Sequence, residues 1–194
     1  MSRIRVRPLA LGPRLSGEPT LSGFFALGSL LAHARAFRGG ELAERFDLGR
    51  VTPLDLAGLR AVAADVRADA PTIYLFSSYV WNHETNVEVA RQLRRLDAGA
   101  LFVVGGPHPP RQEEGARAFL EASPMFDVVA RAEGERTLVD LLAALADRPE
   151  DIRRADLGAV AGISFRTAEG RVVRTPDRPR LRDLAQLPSP YTGG

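Results

Sequence analysis

The chain has 194 residues, 45% of them hydrophobic and 26% charged, the composition of an ordinary globular protein with one domain and an appendage, or at most two small domains. It contains no cysteine, which excludes disulfides, thiolate catalysis and cysteine-ligated zinc or iron–sulfur clusters in this chain. The net charge is only +2, yet the isoelectric point is about 9.6, because all 26 basic residues are arginine and none is lysine. A small arginine excess with little to buffer it carries the isoelectric point upward, so that value is no nucleic-acid signal. The missing lysine also excludes a Schiff-base lysine and a Walker-type phosphate lysine.

The first expected strand is Ile4 to Leu11, made imperfect by Pro8. A loop follows from Gly12 to Thr20. An apolar helix is expected over Leu21 to Arg38, ended by Gly39 and Gly40. Its apolar stretch, Leu21 to Ala34, is interrupted by Gly23, Gly28 and His33 and is too short to span a bilayer. No signal peptide pattern precedes it, and the protein is expected to be cytoplasmic, without membrane or nucleic-acid partners. A weak strand is expected near Arg45 to Leu48, then a helix from Leu54 to Ala68 opened by Thr52 and Pro53.

From Pro71 the alternation sharpens. Strands are expected over Pro71 to Val80, Ala100 to Val104 and Phe126 to Ala130, each a near-continuous apolar run. Between and after them lie helices over Glu84 to Leu96, with Asn82 as N-cap, Glu113 to Ala122 and Thr137 to Ala146. This order implies an α/β fold, a Rossmann-like, flavodoxin-type, doubly wound parallel sheet with helices on both faces. Residues 151–178 hold a β-hairpin, two β runs around Ala168-Glu169-Gly170. Residues 179–194 continue a proline-rich stretch that begins at Pro176 and read as a linker, as though the chain were the first part of a longer protein.

In such a sheet ligands bind beyond the carboxyl ends of the strands. Three loops that leave those ends have unusual content: Ser77 to His83, Gly105 to His108 and Arg131 to Glu135. Gly105, Gly106 and Gly134 permit close approach to the backbone, and Pro107 stiffens the exit. Ser77 and Ser78 can hydrogen-bond in a crevice, Tyr79, Val80 and Trp81 offer apolar area, and free helix N-termini favour a phosphate. The set suits a large, partly apolar ligand with a phosphate-bearing tail. The plainer alternatives are that the glycines only make turns and that Trp81 is core. Glu133 and Glu135 suggest either acid–base work or, the better reading, that Glu135 hydrogen-bonds the ligand tail or caps the next helix.

At these residues the sequence resembles the N-terminal cobalamin (vitamin B12)-binding domain of B12-dependent radical S-adenosylmethionine (SAM) proteins. The matching stretches are FSSYVWN (Phe76 to Asn82), VVGGPH (Val103 to His108), VVARAEGERT (Val128 to Thr137) and the closing GISFRTAEGRVVRTPDRPRLRDLAQLPSPY. Ala132 stands where the family usually has glycine. The resemblance implies that residues 1–150 hold cobalamin along the carboxyl edge of the sheet. Its tail would enter a slot near Gly105, Gly106, Gly134 and Glu135, and Ser77 to Asn82 would face the corrin or the tail. Ser77, Ser78, Tyr79, Val80, Trp81, Asn82, Gly105, Gly106, Pro107, His108, Glu133, Gly134 and Glu135 are the implied cofactor-binding residues. Methionine-synthase-like carriers place Asp-x-His-x-x-Gly after the first strand to ligate cobalt. Here Leu11 to Gly23 contains neither Asp nor His, so no histidine replaces the displaced tail, and none of the three histidines, His33, His83 and His108, is assigned to the metal.

The resemblance also implies partners. SAM and a [4Fe–4S] cluster would belong to a radical SAM domain elsewhere in the full-length chain, with a small-molecule or peptide substrate and methyl transfer as the expected reaction. The segment alone would hold and present the cofactor without being catalytic. Two rival readings stay open. One is an FMN-binding flavodoxin-like domain using Ser16, Thr20 and Ser22. The other is a non-enzymatic interaction module built on Arg166, Arg171, Arg174, Arg178, Arg180 and Arg182. A receiver-type module is disfavoured by the missing lysine.

Overall fold

The computed structural model describes residues 3–10, 14–15, 18–19, 22–53, 56–66, 70–146, 151–183 and 187–189. In chain order the elements are strand β1 (Ile4–Ala10), the short strands β2 (Arg14–Leu15) and β3 (Glu18–Pro19), helix α1 (Ser22–Ala36), helix α2 (Glu41–Arg45) and strands β4 (Phe46–Leu48) and β5 (Thr52–Pro53). Next come α3 (Leu56–Ala64), β6 (Thr72–Ser77), α4 (His83–Leu96), β7 (Leu101–Gly105), α5 (Glu113–Ala122), β8 (Val128–Ala130) and α6 (Glu135–Ala146). The hairpin strands β9 (Ile163–Arg166) and β10 (Val172–Arg174) close the order.

The main sheet runs β10-β9-β8-β7-β6-β1-β4, with β5 also paired to β1. The segment β4-β1-β6-β7-β8 is parallel throughout. Counted along the chain its order is 2-1-3-4-5, the flavodoxin-like winding, whose switch point lies between its first and third strands, here β1 and β6. The expected fold class is therefore borne out. The hairpin adds two antiparallel strands to the same sheet, because β9 pairs with β8 through Val128↔Phe165 and Ala130↔Ile163.

Strand periodicity divides the core in two. Ile73, Leu75, Leu101 and Val103 face α1 and α6, whereas Tyr74, Phe76, Phe102 and Val104 face α3, α4 and α5. Both faces of β6 and β7 are covered, which is why these strands read as unbroken apolar runs. Pro8 is accommodated in a central strand because it falls where the partner of β1 changes from β4 (up to Val6↔Leu48) to β5 (from Leu9↔Thr52).

Several boundaries differ from expectation. The first helix ends at Ala36, and the chain turns through Phe37–Gly39 with Gly40 at φ 103°. Glu41–Arg45 forms a short helix that the sequence did not announce, because five residues are too few for a 3.6-residue period to register. The strand expected to reach Val80 stops at Ser77, and helix α6 starts at Glu135 rather than Thr137. Leu11 and the ends of the helix expected over residues 54–68 lie outside the described residues.

Candidate functional site at the carboxyl edge of the sheet

Sheet winding brings the three loops singled out in the sequence to one edge. Beside them lies a cavity of about 290 Å³, roofed by α1 and α6 and floored by the carboxyl ends of β6, β7 and β8. Its walls are chiefly aliphatic: Leu27 and Leu30 from α1, Leu75 and Val103 from the strands, Leu138 and Leu141 from α6. Ser77, Tyr79, Gly105, Gly106, Glu133, Gly134 and Glu135 also line it, seven of the residues expected at the site.

Each of these has a physical reason for its place. Ser77 is the last residue of β6, and its side chain faces the cavity while only 6% of the residue is exposed. Among the described residues nothing hydrogen-bonds its hydroxyl. Its carbonyl, by contrast, accepts from Asn82 Nδ2 at 3.1 Å and Asn86 Nδ2 at 3.2 Å. Gly105 leaves a gap in the floor. Gly106 has φ 100°, and a Cβ there would lie 2.6 Å from the Ser78 carbonyl oxygen, so the β6 and β7 loops touch backbone to backbone. Ser78 N–H donates to the Gly105 carbonyl at 2.7 Å and His108 N–H to the Ser78 carbonyl at 3.1 Å, which locks the two loops together.

The remaining expected residues are distributed differently. Ser78 is fully buried and points away from the cavity, its Oγ 3.2 Å from His83 Nδ1. His108 lies on that same opposite side, its ring stacked on His83 at 4.1 Å between centroids, with Phe119 of α5 5.2 Å from His83. Trp81 is 53% exposed and stacked on Tyr79 at 4.6 Å, so it is not core. Val80 is 77% exposed, and Pro107 is exposed as well. Asn82 stands before α4 but makes no side-chain cap; its Oδ1 instead accepts the Tyr79 N–H at 2.7 Å and so tightens the loop.

The carboxylates are already occupied. Glu135 accepts the Ser29 hydroxyl at 3.1 Å, tying α6 to α1 over the cavity. Glu133 Oε2 accepts the Leu181 N–H at 2.8 Å. The first turns of α4, α5 and α6 each carry glutamate (Glu84; Glu113 and Glu114; Glu135), so an added anion at those N-termini would meet like charge. Ala132, in the wall between Arg131 and Glu133, has φ 60°, a left-handed conformation that glycine adopts without strain.

Sequence reasoning missed the cavity's helical walls and two polar residues. Asn86 is fully buried one turn after Asn82, an amide on an otherwise apolar helix face, and that placement was its available signal. Thr137 is 1% exposed, lines the cavity and donates to the Glu133 carbonyl at 3.1 Å. No group of three or more potential metal ligands occurs among the described residues, and no described helix is long and apolar enough to cross a membrane.

No family model matches the chain. Among curated proteins it is 38% identical over 125 residues to the cobalamin-dependent radical SAM methyltransferase TokK of Streptomyces tokunonensis, a match covering 64% of this chain and 17% of TokK. It is 35% identical over 140 residues to 2-(S-pantetheinyl)-carbapenam-3-carboxylate methyltransferase of Streptantibioticus cattleyicolor, covering 71% of this chain and 18% of that protein. Among solved structures, the cobalamin-dependent SAM radical enzyme OxsB with aqua-cobalamin and SAM bound superposes with a TM-score of 0.58 at 18% identity, over 92% of this chain and 23% of OxsB. TokK is thus a cobalamin-dependent radical SAM methyltransferase by name and the second relative a methyltransferase, in keeping with the resemblance carried by the four sequence stretches, and the OxsB likeness bears out the fold. The chain spans less than a fifth of the length of these two curated relatives.

Proposed function

We propose that this chain binds cobalamin along the carboxyl edge of its sheet and presents it, with no histidine beneath the cobalt, to a radical SAM domain in the same full-length protein. The assembled enzyme is proposed to transfer methyl groups to a small-molecule or peptide substrate. Residues 1–150 with the hairpin of 151–178 form the cofactor-holding unit, and residues 179–194 lead towards the catalytic domain.

The observation that carries this reading is the cavity between α1, α6 and the ends of β6, β7 and β8. At about 290 Å³ it sits at the lower end of small-molecule sites, which run from roughly 300 Å³ upward. That is room for a flat bicyclic base such as the tail of cobalamin, and too little for the corrin ring, which would have to lie outside on the edge. Aliphatic walls suit such a base, and the Ser77 hydroxyl offers a hydrogen bond. Gly105 leaves space and Tyr79 adds apolar area. When bound, cobalamin supplies the cobalt that carries the transferable methyl group, whereas SAM and the [4Fe–4S] cluster belong to the other domain.

The rivals draw less support. The serine and threonine of the flavin reading fall on residues 16, 20 and 22, whose side chains lie outside the described ones. Four of the six arginines of the interaction-module reading are engaged within the chain: Arg166 with the Leu120 carbonyl, Arg171 with Glu169, Arg174 with Asp177 and Arg178 with Asp140. The test is gel filtration of the purified protein with hydroxocobalamin or FMN. Co-elution of the corrinoid alone is expected; retention of FMN in its place would overturn the proposal.

A further inference from the structure

The segment that leaves the hairpin is stitched to the cavity wall. Gly162 N–H donates to the Pro176 carbonyl at 2.8 Å, and buried Arg131 donates to the Thr175 carbonyl at 2.6 Å and to Asp177 at 3.1 Å. Arg178 hydrogen-bonds Thr137 Oγ1 at 3.2 Å and the Ala161 carbonyl at 3.2 Å, and it pairs with Asp140. Leu181 N–H then donates to Glu133 Oε2 at 2.8 Å. Residues 176–181 are a fixed strap, although their proline content reads as a free linker.

Two of the strap's anchors, Glu133 and Thr137, are also walls of the cavity. The Thr137 hydroxyl joins three parts: it donates to the Glu133 carbonyl, accepts from Arg178 and lines the cavity. Between Arg131 and Glu133 stands Ala132, held at φ 60° and facing the same cavity. The loop that a ligand would touch from inside is therefore the loop that holds the strap from outside.

We infer that Glu133 is a positioning residue that couples occupancy of the cavity to the path of the exit strap. A ligand that packs against the Arg131–Glu135 loop restricts it and so holds the Glu133 carboxylate in place. The strap is then fixed across α6, and with it the direction in which the chain departs. Coupling of this kind is reciprocal: whatever the ligand does for the strap, the strap does for ligand affinity, by the same factor. The inference rests on the cobalamin reading.

Trypsin reads this contact directly, because the Leu181 N–H bound by Glu133 belongs to the Arg180–Leu181 peptide bond. The purified full-length protein is digested with and without saturating hydroxocobalamin. Cleavage at Arg180–Leu181 is compared with cleavage at Arg117–Ala118 in α5, which reports general unfolding. Cobalamin is expected to slow the first about fivefold or more relative to the second. Glu133→Ala should lose that protection and weaken cobalamin retention by the same factor, and Glu133→Gln, which keeps an acceptor oxygen, should restore most of both. If cobalamin is retained but cleavage at Arg180–Leu181 does not respond to it, the inference falls and the cofactor reading stands. If the unsubstituted protein retains no cobalamin, both fall.

Discussion

Gly106 and Ser78 meet backbone to backbone: a methyl group on Gly106 would stand 2.6 Å from the Ser78 carbonyl oxygen and 3.0 Å from its nitrogen. With φ 100° at Gly106, a side chain is disfavoured by conformation as well as by space. Gly106→Ala is expected to destabilise the fold by about 2–4 kcal/mol, through backbone strain and loss of the loop-to-loop bonds. Urea denaturation checks this. A Gly106 variant that loses ligand would therefore say little about the cavity itself.

Ala132 predicts the opposite sign. Its φ of 60° costs about 1–2 kcal/mol for an L-residue, partly offset in a glycine by greater unfolded-state entropy. Ala132→Gly is expected to raise stability by up to about 1 kcal/mol, seen as a higher denaturation midpoint with an unchanged slope.

Asp127 is a polar staple just before β8, at the amino end of the strands and so at the edge of the sheet opposite the site. Its buried carboxylate accepts from Arg94 at 2.5 Å, the Phe102 N–H at 2.8 Å and Arg153 at 3.1 Å. Asp127→Ala leaves a backbone donor and a partly buried guanidinium without this acceptor, and is expected to cost about 3 kcal/mol or more. Asp127→Asn retains an acceptor and should cost roughly half as much. Thermal or urea unfolding of both variants separates the two.

Burial, and then the neighbouring His108, hold the His83 imidazole below its usual range against the opposing pull of Glu84. His33 is lowered as well, first by burial and further by Arg136, against Glu135. Both groups favour the neutral form when folded, so the unfolded chain binds more protons as pH falls below about 6.5. Stability is expected to be full above that pH and to decline as pH drops through it towards the lower folded values. Denaturation midpoints at pH 7.5 and 5.5 check the sign, and His83→Gln should flatten the difference.

Much of this was legible in the sequence, for identifiable reasons. β6 and β7 are sandwiched between helices, so their apolar runs are continuous and bounded by serine and glycine. Sheet winding then forces the loops after β6, β7 and β8 to one edge. The division between the two sides of that edge was not legible. Ser77 and Ser78 are neighbours of one type, yet one faces the cavity and the other His83. Strand alternation dictates that they differ, but only the packing of α1 against α6 decides which side is hollow. Leu27, Leu30, Leu138 and Leu141 read as ordinary core leucines for the same reason. The strap over residues 176–181 was hidden because its anchors, Glu133 and Thr137, are more than 40 positions away in sequence.

The most direct test of the account is the ultraviolet–visible titration of hydroxocobalamin with the protein and with Gly105→Val. Gly105 lies outside the left-handed region, and a Cβ there would meet Ala130 Cβ at an ordinary 3.5 Å, so a side chain can start here, and the methyl groups of valine are expected to occupy the cavity floor. The unsubstituted protein is expected to shift the spectrum towards the base-off form. With Gly105→Val the response is expected to be at least about tenfold weaker, equivalent to about 1.4 kcal/mol, at unchanged melting temperature. Tight, spectrally identical binding by both proteins, or no binding by the unsubstituted one, would contradict the claim that this cavity receives the cofactor's tail.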